Sequence, residues 1–166
     1  MNEILKSQKI ADRSFEEEEI AAPAQFIYCT LTRCNFEQAR ISTNLGSAFE
    51  DCSFRGANLT ESVLRGRFVR CDFTEANLSR TRASEVTFED CVFREAAFTK
   101  VTYHWIKFVR CRFEDCKFRK GEIGSSTFED CEWIGNDVAD VFCENTKIPA
   151  QQGVGGQPAT PPRVGD

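Results

Sequence analysis

The chain has 166 residues, a length that suits one domain, and carries 21 basic and 26 acidic residues for a net charge of −5. Much of the acidic excess is one run, Glu16 to Glu19; from Phe26 to Ile148 there are 17 basic and 19 acidic residues. A body this close to neutral offers no electrostatic footprint for nucleic acid, and no apolar run reaches membrane-spanning length.

The N-terminus, MNEILKSQKIADRSFEEEE, lacks the basic start and apolar stretch of a signal peptide. With nine cysteines, an odd number, the expectation is a cytoplasmic protein with free thiols. Residues 1–9 are expected to cap the fold as a short helix or irregular turn. Large apolar residues then recur every five: Leu5, Ile10, Phe15, Ile20. The phase slips by one to Phe26 and continues through Leu31, Phe36 and Ile41. Two four-residue steps through Leu45 reach Phe49, then come Phe54, Leu59 and Leu64, and one more four-residue step gives Phe68. From Phe68 to Ile148 the period of five never breaks, and 14 of the 15 phenylalanines occupy these centres; Phe142 is the exception. Two residues before the centres stand small residues, among them Ala57, Ala76 and Ala96. Period five matches neither helix nor plain strand and describes a chain that turns a corner after every five residues.

A second period of twenty lies over the first: Phe68-Val-Arg-Cys71, Phe88-Glu-Asp-Cys91, Phe108-Val-Arg-Cys111, Phe128-Glu-Asp-Cys131. Four faces of five residues make twenty. The stretches Cys34-Asn-Phe36, Ala57-Asn-Leu59, Cys71-Asp-Phe73 and Ala76-Asn-Leu78 resemble the A(D/N)LXX consensus of the pentapeptide-repeat proteins. That resemblance covers about residues 5 to 148. It implies an all-β fold, a right-handed quadrilateral parallel β-helix with centre and small residues pointing inward. The chain then divides into residues 1–9 as cap, 10–148 as about seven coils, and 149–166 as a disordered Pro/Gly-rich tail.

With four faces, the centres fall into columns. Face one holds Phe49, Phe68, Phe88, Phe108 and Phe128; face two holds Phe54, Phe73, Phe93, Phe113 and Trp133. Leu45 is expected in column four. Cys52, Cys71, Cys91, Cys111 and Cys131 line up beside face two. A metal or redox role would need converging ligands, but there is no C-x₂-C pair and His104 is the only histidine, so the cysteines are read as small apolar filler. The corner after face one reads Asp12, Arg33, Asp51, Arg70, Asp90, Arg110, Asp130, alternating in sign. Each Arg is expected between an Asp above and an Asp below, a ladder that holds register.

Two surface features are candidate partner contacts. His104 and Trp105 share an outward corner, and Lys100, Lys117, Arg119 and Lys120 form a basic cluster nearby. No nucleophile elbow, phosphate loop or metal-ligand set appears, and no cofactor is expected. The leading reading is a non-enzymatic scaffold that binds a protein partner, with no direct contact to nucleic acid. The family resemblance also implies an alternative, a DNA-mimicking protein of the quinolone-resistance type that binds the topoisomerase DNA gyrase. An exported effector is a third.

Overall fold

The structure, a computed structural model, describes residues 4–15, 24–152 and 163–164. The acidic run Glu16–Glu19, the centre Ile20 and most of the expected C-terminal tail lie outside these residues. The chain winds as a right-handed quadrilateral β-helix in which every strand pairing is parallel. Seven rungs from Ile10 to Phe128 on face one enclose six full turns. At the usual strand spacing of about 4.8 Å these six turns make a rod of roughly 29 Å.

Corners follow one rule. The residue two after nearly every described centre, Ile41 and Ile148 excepted, adopts the left-handed conformation: φ is 50° at Arg70, 52° at Asp90 and 55° at Trp105. This turns the chain through a corner within two residues and lets the next five-residue face begin. On several rungs the polar residue before the centre helps. Oδ1 of Asn58 and of Asn77 accepts a hydrogen bond from the backbone N–H two residues on, at Thr60 and Ser79, each 3.0 Å away. Asp72 does the same for Thr74 at 2.9 Å. These side-chain turns explain the Asn or Asp in the repeat.

Faces one and two fill their half of the interior with two columns of stacked rings. Phe54 lies 4.7 Å from Phe73 with planes 5° apart, and Phe93 lies 4.9 Å from Phe113 at 4°. The columns meet edge to face, as Phe54 and Phe68 do at 5.7 Å and 71°. Both arrangements suit the ring quadrupole, so identical residues stack without penalty. Trp133 tilts to 47° against Phe113 and leans to Phe118, where Val138 leaves room. Tyr103 stacks over the small Ala83, and its hydroxyl meets Thr81 Oγ1 at 2.8 Å, so the one buried phenol is satisfied.

Three expectations change. The described part of the expected cap, residues 4–9, is not separate from the stack: Ile4–Lys6 pairs with Gln25–Ile27 as a rung of face four, with Leu5 buried. The five-residue period already includes Leu5, so its strand joins the stack. Leu45 is not the column-four centre of its coil. The register sets Asn44 between Phe26 and Leu64, with the left-handed corner at Gly46. The steps around it are therefore three and five residues, not two of four. Phe128 is only partly buried, because no further complete rung covers it. Beyond Ile148 the chain still touches the rod end. Gln151 Oε1 accepts from the Asn136 N–H at 3.1 Å, the Gln152 N–H donates to the Trp133 carbonyl at 2.6 Å, and Arg163–Val164 pairs with Phe142–Cys143.

A candidate docking surface

The thiol column is closed to chemistry. All nine cysteines are free and buried. Cys71 Sγ lies 3.6 Å from the Phe49 carbonyl and 3.4 Å from that of Val69; Cys91 meets the carbonyls of Phe68 and Glu89, both at 3.4 Å. Each of these thiols thus fills a small slot and donates weakly to a strand-end carbonyl, as the other cysteines do except Cys143, which is itself a centre. Burial raises the pKa of Cys71 and Cys91 and pushes the Cys116 thiol up to about 12, which keeps them protonated and unreactive.

At corner one the charges pair, but not as a continuous ladder. Arg33 grips Asp12 with two hydrogen bonds of 2.7 and 2.6 Å, Arg70 grips Asp51 at 2.7 and 3.0 Å, and Arg110 grips Asp90 at 2.7 and 2.9 Å. Arg70 also reaches Glu50, and Arg110 reaches Glu89 at 2.6 Å. Every Arg turns to the coil before it and none grips the Asp of the coil after it. Among the described residues Asp130 makes no ion pair, and position 150, one coil further on, is Ala. The aspartates are held below their ordinary 3.8 by the hydrogen bonds from Arg33, Arg70 and Arg110 respectively.

Lys100 and Lys120 stack at the corner after face three, with Lys117 and Arg119 on the outer surface of that face. Arg119 is committed to Asp137, with Nε 2.8 Å from Oδ2. His104 and Trp105 do not join this group. They lie at the far edge of face four, five residues beyond Lys100 in the same coil. Trp105 is 61% exposed, and the His104 imidazole lies 3.5 Å from Glu122 and 5.9 Å from the Trp105 ring.

The residues around Trp105 form a larger pattern that the sequence reading missed. Among the described residues the exposed large hydrophobics are Ile4, Tyr28, Trp105 and Phe142. Ile4 and Phe142 precede the face-four centres Leu5 and Cys143; Tyr28 and Trp105 occupy the corner that ends this face. Glycines shape the same surface. A Cβ at Gly46 would lie 2.8 Å from the Tyr28 ring, and one at Gly124 would lie 2.6 Å from His104 Nδ1, so both rings lie down over a glycine of the next coil. Beside Tyr28 a shallow cleft of about 370 Å³ is lined by Gly46, Arg65, Gly66 and Glu85. One sequence signal was present: Phe142 was the single Phe outside the centres.

Comparison with known proteins agrees with the winding just described. Residues 65–137 match the family described as a pentapeptide repeat region. The chain carries the pentapeptide-repeat fold. No curated protein sequence matches it. Among solved structures, a trypsin-treated form of QnrB1, a plasmid-mediated fluoroquinolone resistance protein, superposes with a TM-score of 0.58 at 20% identity, over 88% of this chain and 70% of that one. HetL, a pentapeptide repeat protein involved in heterocyst differentiation regulation in the cyanobacterium Nostoc sp. strain PCC 7120, matches over 88% of this chain and 87% of its own at 12% identity and a TM-score of 0.29. At 20% identity the likeness to the QnrB1 form is one of fold.

Proposed function

We propose that this pentapeptide-repeat chain is a non-catalytic scaffold that holds a protein partner against face four. The observation that carries the reading is the placement of Ile4, Tyr28, Trp105 and Phe142 along one face and its corner, with a cleft at Tyr28. Exposed aromatics beside a concavity are the usual anchors of protein contacts. The stacked interior leaves the reactive side chains of the core, the thiols above all, out of reach of a substrate. The test is capture of a partner and its measured affinity for surface variants. Trp105→Ala and Tyr28→Ala should each weaken the complex about tenfold or more, while Arg112→Ala on face two should not change it. Equal loss from both faces would discard face four as the site.

The gyrase reading is supported by the fold it shares with a fluoroquinolone resistance protein. Against it stands the pairing of acids with arginines at corner one, which cancels the negative potential a DNA mimic needs. A gyrase supercoiling assay with and without a fluoroquinolone separates the two: neither inhibition nor protection by this protein leaves the scaffold.

A further inference from the structure

Corner one resolves the stacking of charges by alternating them; corners two and three do not. The corner after face two carries Glu75, Glu95 and Asp115 on successive coils, and the corner after face three carries Arg80, Lys100 and Lys120 on the same three coils. All six side chains are exposed. Like charges one strand spacing apart repel and call for counter-charges. Within the chain they find few. Arg80 reaches Glu61 at 3.0 Å, but among the described residues Glu75, Glu95, Asp115, Lys100 and Lys120 make no ion pair. The nearest cations are committed elsewhere: Arg55 to Asp72 at 3.0 Å and Arg94 to Glu114 at 3.1 Å.

Face three is the strip between these two columns. On the first two of the three coils its outward residues are small and uncharged: Asn77 and Ser79, then Ala97 and Thr99. On the third they are Lys117 and Arg119, with Asp137 one coil on holding Arg119. The strip is therefore low, acidic along one edge and basic along the other.

From this geometry we infer that face three is a self-association surface, whose occupant is a second copy of this chain lying parallel and face to face. A two-fold axis along the rod carries the acidic edge of one copy onto the basic edge of the other. Because both columns occupy the same three coils, no axial shift is needed: Glu75 meets Arg80 of the other copy, Glu95 meets Lys100, and Asp115 meets Lys120. The antiparallel alternative sets acid on acid and base on base, so charge alone selects the parallel pair. On the first two coils the small side chains let the two faces approach closely enough for the edges to touch. This surface is separate from face four and leaves it open.

Sedimentation equilibrium of the full chain tests the inference at about 20 mM and about 500 mM salt. A reversible dimer should form at low salt and weaken about tenfold or more at high salt. Glu95→Lys and Lys100→Glu alone should each weaken it about tenfold or more, with unchanged melting temperature as the check on folding. The double variant in one chain should dimerise like the wild type, and an equimolar mixture of the two single variants should form a heterodimer, since each then meets its opposite charge. A protein that stays monomeric at low salt up to about 1 mM, or a dimer indifferent to both reversals, overturns it.

Discussion

At each corner a single residue with positive φ decides whether the chain can turn. Most of these residues are not glycine: Asp, Glu, Lys, Arg, Ser and even Trp105 take the position. Left-handed backbone costs an ordinary L-residue roughly 1 kcal/mol or more and a β-branched one the most. The absence of Val, Ile and Thr from these sites follows. Ser125, with φ of 48° and an exposed side chain, is a clean test. Ser125→Val should lower stability by about 1–2 kcal/mol and Ser125→Gly should leave it equal or raise it by up to about 1 kcal/mol, read from denaturant midpoints. If Val and Gly behave alike, the corner does not constrain the chain. The small slot beside face two is subtler. Cysteine fits it as alanine would and adds a weak donor for a carbonyl, so residue chemistry that resembles a reactive motif serves packing.

Between neighbouring coils the ion pairs of corner one add a pH-dependent element. Arg33, Arg70 and Arg110 lower the pKa of Asp12, Asp51 and Asp90. A carboxyl lowered on folding contributes stability that is full above its ordinary value of 3.8 and is lost as pH falls through the lowered value. The double variant Arg70→Gln with Arg110→Gln should therefore melt roughly 2 °C below the wild type at neutral pH, and the gap should close as pH falls below 3.8. A gap that persists in acid would assign the loss to side-chain packing. Alternation was legible in the sequence because the corner repeats every coil; the one-sided reach of each Arg was not, since a column of letters carries no direction. Column four shows a second limit. Asn44 is polar, so a reading that follows apolar centres passes to Leu45, although Gly46 marked the left-handed corner two residues after the position in register with Phe26 and Leu64. Tyr28 escaped for the opposite reason: it is aromatic but stands outside the centres, where the periodic reading had stopped looking.

Over the whole molecule, contacts run only between adjacent coils, so stability belongs to the stack and not to any one coil. The ends have one neighbour and the middle has two. Amide hydrogen exchange should be slowest between Phe54 and Phe118 and fastest in Ile4–Lys6 and Phe142–Glu144, with protection rising inward by several tens-fold. Uniform protection would mean that the rod opens as one unit. The fold was therefore legible in the periodicity together with the family resemblance of the repeats, whereas a docking face depends on what stands between the periods. The backward reach of the arginines has a temporal meaning as well. Arg33, Arg70 and Arg110 each bind an aspartate that the ribosome has already delivered, about one turn earlier. A coil leaving the exit tunnel finds its partner finished and waiting, so the rod can be wound in the order in which it is made, and no strand has to stay unpaired until the far end of the chain arrives.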